Sequence, residues 1–172
     1  MSPRDGIADP KYDWSWHLIG SFTQLTYHIV FATKLRRPSI SGNIQERLYE
    51  YIGGTLRAKK GQLIEIGGVQ DHVHILARLS PTLAVADVVR DVKANSSKWM
   101  NEQSDIPQTL HWQKGYGAFT VSYSQIETVQ QYIRKQEEHH RAQTFQDEYI
   151  TFLKRRGIEF RLEYLFEDEH QV

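Results

Sequence analysis

The stretch 24–32 (QLTYHIVFA) sets Leu25, Tyr27, Ile29 and Phe31 on one side with a period of two, the pattern of a strand with one buried face. Pro38 and Gly42 then mark a loop. Ile44, Leu48, Tyr51, Ile52 and Leu56 recur at helical spacing, which predicts a helix over 43–60, weakened at Gly53 and Gly54 and ended by Gly61. Two short apolar segments, 63–69 and 72–79, flank a tight Gln70-Asp71 connection, and this reads as a hairpin closed by Pro81. Leu83, Val85, Val88, Val89, Val92 and Trp99 place a second amphipathic helix over 83–101. Strand composition returns over 112–122, with Gly115 and Gly117 expected at a bend. Ser124 and Glu127 have the spacing of a capping box, so a helix is expected over 125–139, followed by another over 145–155 that Gly157 stops.

The resulting order is strand, helix, strand, strand, helix, strand, then further helices. It predicts an α+β fold, a split βαβ sandwich of the ferredoxin-like or RRM-like kind, with an antiparallel sheet and helices on one face, plus a C-terminal helix. At 172 residues the chain has the size of one domain. Residues 1–20 read as an extension interrupted by Pro3, Gly6 and Pro10, with Trp14 and Trp16 suited to docking; 21–160 read as the folded domain, and 161–172 as an acidic tail.

Composition narrows the chemistry. Apolar residues at 40% and charged residues at 24% match folded globular chains, which argues against disorder. The absence of cysteine excludes disulfides, thiolate nucleophiles and sulfur-bound zinc, so a metal would need His, carboxylate or amide donors. No apolar run is long enough to span a bilayer and no signal peptide opens the chain, so no membrane partner is expected and the cytoplasm is the expected location. Formal net charge is zero, and the basic clusters, such as Lys34/Arg36/Arg37 and Lys154/Arg155/Arg156, read more simply as solvated faces than as a nucleic-acid footprint.

His72-Val73-His74 falls in the third expected strand, where residues two apart share a face, so two imidazoles project together. Such a pair is a workable half of a metal site, though a His-X-His in a strand is more often a pair of packed or surface histidines. Tyr132 and Gln136 lie four apart on the expected helix 125–139 and share its face, an arrangement also common on ordinary amphipathic helices. His139 reads as a partner for a helix end or a neighbour of the same site, and Asp71 as a turn residue or a carboxylate that orients an imidazole. Trp112, Tyr116 and Phe119 read as core more readily than as base-stacking rings, and His28 carries no assigned role.

Three segments together say more. Asp71-His72-Val73-His74-Ile75-Leu76, the run 112–122 (WQKGYGAFTVS) and the run 132–140 (YIRKQEEHH) resemble the single-tyrosine HUH transposases (His-hydrophobic-His) of small bacterial insertion sequences, the IS200-like and REP-associated tyrosine transposases. The resemblance runs over about 21–157 in the same order. It implies a DNA transposase that cleaves and rejoins single-stranded DNA at hairpin ends through a 5′-phosphotyrosine. Tyr132 would be the nucleophile, and His72, His74 and Gln136 the ligands of a divalent ion, Mg2+ or Mn2+. It further implies a homodimer whose active sites can be shared between subunits. Two other readings stay open: a non-catalytic or domesticated single-stranded hairpin-binding protein of the same fold, and a metal-dependent phosphohydrolase using water in place of tyrosine.

Overall fold

The computed structural model describes residues 22–106 and 109–166. The expected extension 1–20, with Trp14 and Trp16, and the end of the acidic tail lie outside the described residues. Four strands form one antiparallel sheet in the order β2-β3-β1-β4: β1 (Thr26–Ala32), β2 (Gln62–Val69), β3 (His72–Arg78) and β4 (Gly117–Thr120). Helix α1 (Gly42–Ala58) connects β1 to β2 and α2 (Val85–Asn101) connects β3 to β4. This is the split βαβ arrangement that the order of elements predicts.

Alternation along the two central strands divides the molecule into layers. Ile29 and Phe31 of β1, with Val73, Ile75 and Ala77 of β3, face one way and pack with Ile44, Leu48, Ile52 and Leu56 of α1 and Val88, Val89 and Val92 of α2. Each of the larger side chains stabilises the fold by roughly 1.5–3 kcal/mol through its removal from water. The other face of the sheet is covered by the C-terminal helices α3 (Ile126–Arg134), α4 (Gln136–His139) and α5 (Phe145–Arg155). There Val30, Ala32 and Phe119 meet Phe145, Tyr149 and Leu153, while Leu76 and Val121 meet Ile126 and Ile133. The short α6 (Leu162–Leu165) follows, and Phe166 packs into the α5 cluster, so the expected tail begins as part of the fold.

Local expectations fail in three places. The segment 112–122 pairs as a strand only over Gly117–Thr120, with one isolated bridge from Trp112 to Thr33. Lys93 Nζ instead donates to the carbonyls of Gln113, Lys114 and Gly115, which satisfies those groups without a neighbouring strand. Gly117 is therefore a paired residue opposite Val30 and not a bend. The capping box does not form: Tyr123–Gln125 is a 3-10 turn, Ser124 Oγ lies 3.3 Å from Ser122 Oγ, and α3 starts at Ile126 without a side-chain cap. Finally, the single helix expected over 125–139 is interrupted at Lys135, whose φ of −97° and ψ of 17° separate α3 from α4. By contrast, α5 has its expected bounds, ending near Gly157, which takes the left-handed φ of 64° open to glycine.

Candidate active site

The same alternation that sends Val73 and Ile75 into the α1/α2 core sends His72 and His74 to the opposite face, where both are fully buried. Their ring centroids are 5.1 Å apart. Asp71, in the turn between β2 and β3, accepts a hydrogen bond from His72 Nδ1 at 2.7 Å through Oδ1 and pairs with Arg36 at 3.2 Å through Oδ2. Burial opposes the charge on Asp71. The bond from His72 and the charges of His72 and Arg36 outweigh it and hold the carboxyl below its ordinary range. With Nδ1 bonded to Asp71, His72 turns its Nε2 inward.

His74 is oriented from the next strand. His28 Nε2 lies 2.9 Å from His74 Nδ1, and both rings are buried. Burial first, and the neighbouring imidazoles second, push His74 well below its usual value; burial, His74 and Arg156 do the same to His28. Both rings are therefore neutral at pH 7, the state a metal ligand requires. When His74 Nδ1 donates to His28, Nε2 of His74 is left with a lone pair. That atom is buried and makes no hydrogen bond, although Glu148 Oε2 stands 3.3 Å away.

Helix α3 brings the tyrosine in from the β2 side. Its approach depends on Gly67: a Cβ there would meet the Ile133 carbonyl oxygen at 2.6 Å and Ile133 Cγ2 at 2.9 Å. Tyr132, half-buried, sets its ring centroid 5.9 Å from His74, 6.2 Å from His28 and 5.0 Å from His139. Just past the Lys135 break, Gln136 turns inward and is buried. Its Nε2 donates to Glu148 Oε1 at 3.1 Å, which fixes the amide so that Oε1 faces His72 Nε2 at 3.3 Å. The four residues singled out in the sequence thus meet in one place, within one chain.

Two further groups join them. Glu148 Oε2 lies 3.3 Å from His74 Nε2, 3.2 Å from His140 Nε2 and 3.9 Å from His72 Nε2. One donor atom from each of His72, His74, His140 and Glu148 falls within 4.8 Å of all the others. Desolvation raises Glu148 to about 7 against the pull of His72, and lowers His140 to about 4, with His72 adding to it. Imidazole Nε2 atoms, a carboxyl oxygen and an amide oxygen therefore converge on one buried point. With His74 Nε2 left buried and unbonded, this is the donor chemistry a divalent cation takes, so these residues fit such an ion.

Sequence reasoning missed His28, His140 and Glu148. A signal existed for two of them. Phe145, Glu148, Tyr149 and Phe152 form one helical stripe, so Glu148 is a charge at an apolar-face position; and His28 lies on the strand face shared by Val30 and Ala32. The aromatic residues Trp112 and Phe119 pack inward, as read: Trp112 lies edge-on to Phe31 at 4.8 Å, and Phe119 is buried beside α5. A cleft of about 890 Å3, lined in part by Arg36, Asp71, His140, Arg141 and Phe145, opens beside the cluster. Another, of about 760 Å3, lies between α1 and α2 around Tyr51 and Trp99, on the far side of the sheet from the histidines and without their chemistry.

With this geometry in view, the kinship of the chain can be stated. A family profile described as "Transposase IS200 like" matches residues 21–136, two thirds of the chain. The chain belongs to the IS200-like transposase family. It is 26% identical over 122 residues to the ISDra2 transposase TnpA of Deinococcus radiodurans, an alignment spanning 68% of this chain and 87% of that protein. It is 29% identical over 115 residues to the transposase for insertion sequence element IS200 of Salmonella typhimurium, spanning 64% and 75% respectively. Among solved structures it is similar to a crystal structure assigned as a transposase of Deinococcus radiodurans R1, with a TM-score of 0.54, 25% identity and coverage of 68% of this chain and 94% of that one. A REP-associated tyrosine transposase bound to a REP hairpin shares the fold, with a TM-score of 0.55 at 13% identity over 70% and 71% of the two chains. The family match ends at Gln136, so this IS200-like chain draws His140 and Glu148 from sequence beyond it. Among the described residues, no helix is long and apolar enough to cross a membrane.

Proposed function

We propose that this chain cleaves and rejoins single-stranded DNA at hairpin ends, with Tyr132 as the nucleophile and a divalent ion, Mg2+ or Mn2+, held by His72, His74 and Gln136. The observation that carries the reading is the placement of the half-buried Tyr132 ring 5.9 Å from the buried His74, whose ring lies beside that of the buried His72. A hydroxyl with an ordinary pKa near 10 is a weak nucleophile, so it needs a phosphate whose charge is already neutralised. When bound, the ion supplies that neutralisation and holds the phosphate oxygens. The phenolic oxygen of Tyr132 forms the bond to phosphorus and gives up its proton. The bond from phosphorus to the 3′ oxygen breaks, and that oxygen leaves as a 3′ hydroxyl. The 5′ phosphate stays on Tyr132, and because the ester is retained, rejoining to another end needs no nucleotide.

The chain's residues divide the remaining tasks. Asp71 and His28 hold the two imidazoles in the tautomers that point Nε2 inward. Substrate reaches the site from the side of Tyr132 and the exposed His139, since α5 covers the other side. A hairpin as substrate is supported by the shared fold with the transposase solved on a REP hairpin. Joining two ends calls for two sites, which a homodimer supplies; the cytoplasm is the proposed location.

The test is incubation of the protein with single-stranded hairpin oligonucleotides and Mn2+, followed by denaturing electrophoresis. A covalent adduct is expected from the wild type and none from Tyr132→Phe, with hairpin binding retained. Binding without an adduct under all metal conditions would favour a hairpin-binding protein, and metal-dependent cleavage without an adduct a phosphohydrolase.

A further inference from the structure

The acceptor cluster contains more donors than the family motif provides, and the additional ones come from α4's C-terminal cap and from α5. We propose that Glu148 and His140 are ligands of the same ion as His72 and His74, and that the resulting three-imidazole, one-carboxylate set selects a transition ion such as Mn2+, Co2+ or Zn2+ over Mg2+. This rests on the reading that the histidine pair holds an ion, and deepens it by naming the rest of the donor set and the class of metal.

The geometry supports it from several sides. Bonds of about 2.0–2.2 Å to His and carboxylate donors put neighbouring donors roughly 3–4 Å apart around one ion. The separations from Glu148 Oε2 to the Nε2 atoms of His140, His74 and His72 are 3.2, 3.3 and 3.9 Å. Glu148 is held in this position, since Gln136 Nε2 donates to its Oε1 at 3.1 Å and leaves Oε2 facing the imidazoles. His74 Nε2 is buried with no hydrogen bond of its own. The carboxylate also changes the electrostatics. Two imidazoles and an amide form a neutral set, whereas adding Glu148 gives a set of charge −1 that neutralises half of a divalent ion's charge in a site shielded from water.

Metal preference follows from donor type. Mg2+ favours oxygen ligands, keeps several of its waters and tolerates little departure from octahedral geometry. Three imidazole nitrogens replace those waters with donors better suited to Mn2+, Co2+ or Zn2+. The ion would also tie the end of α4 and the middle of α5 to β3, making α5 part of the metal site although the family match stops before it.

The experiment uses the full chain without DNA. Co2+ is titrated into the wild type, Glu148→Gln and His140→Gln, and binding is followed by visible absorption, whose intensity and energy depend on ligand number and type. Pulsed electron paramagnetic resonance of the Mn2+-loaded wild type counts the coordinated imidazole nitrogens without any substitution. We expect at least a ten-fold weaker Co2+ affinity with an altered spectrum in each variant, coupling to three imidazoles in the wild type, and retention of Co2+ against a hundred-fold excess of Mg2+. Circular dichroism in EDTA establishes that the variants are folded, and the resonance count decides the matter if either is not. Unchanged affinity and spectrum in folded Glu148→Gln, two coupled imidazoles, or displacement of Co2+ by Mg2+ would overturn this inference while leaving the two-histidine reading intact. No uptake of Co2+ or Mn2+ by the wild type would overturn both.

Discussion

His28 Nε2 stands 2.9 Å from His74 Nδ1, joining neighbouring strands through two buried imidazoles. His28 contacts His74 at Nδ1 and leaves its Nε2 free to face the site, so its expected role is to position the His74 ring. Replacing His28 by alanine leaves His74 Nδ1 without its hydrogen-bond partner, a loss on the order of 1–3 kcal/mol in stability. Metal affinity should fall about 10–100-fold, the usual effect of removing a group that orients a ligand. Calorimetric titration with Mn2+ and a thermal melt in EDTA measure the two effects separately. A His28→Gln variant, which retains an acceptor, is expected to recover part of the affinity; equal affinity in wild type and alanine variant would remove the positioning role.

Gly67→Ala tests how α3 is seated. The added methyl would lie 2.6 Å from the Ile133 carbonyl oxygen, a backbone atom that can yield only by moving the helix. Since Tyr132 precedes Ile133, its hydroxyl should shift relative to the histidines. A displacement near 1 Å can cost about 100-fold in rate when reacting groups are misplaced. Adduct formation should therefore slow while metal affinity changes little. Normal adduct kinetics in a folded variant would show that α3 adapts more freely than its packing indicates.

Thr144→Ala addresses α5. Thr144 Oγ1 accepts from the Asp147 backbone N–H at 3.2 Å, capping the helix that carries Glu148. Loss of such a cap costs about 1 kcal/mol, within a range of roughly 0.5–2. Urea denaturation should show the decrease without metal. Unaltered stability would mean that another group caps the helix when the hydroxyl is removed.

Mixed dimers address the division of labour between subunits. Tyr132, His72 and His74 meet within one chain, because α3 lies against its own β2 and β3. A His72→Ala/His74→Ala subunit combined with a Tyr132→Phe subunit should then remain inactive, as each site lacks one part. Recovery of adduct formation in verified mixed dimers would instead establish that α3 is exchanged between subunits.

What could be read from the chain alone follows the range of the interactions. Strand alternation sends His72 and His74 to one face whatever they pair with, and the bounds of α5 follow from its own apolar stripe and Gly157. The His28 contact depends on register: β1 pairs His28 with Leu76 and Val30 with His74, which local pattern does not specify. Glu148 was hidden for a related reason, since an acid on an amphipathic helix reads as solvated until its three imidazole neighbours are known. The expected cap at Ser124 and the long fourth strand failed where a nearby group offered the backbone another partner: a 3-10 turn in the first case and Lys93 in the second.

The interruption at Lys135 places Tyr132 and Gln136 on two separate helices. In an unbroken helix, residues four apart move as one body, so any swing of the phenol would drag the amide with it. Here the amide is anchored to Glu148 while the phenol rides on a separate nine-residue rod. A change in the Lys135 backbone could move the hydroxyl without moving the amide only by unseating Ile133 from Gly67. The proposed reaction, in which Tyr132 bonds to one DNA end and later presents it to another, would use that division between a moving phenol and an anchored amide.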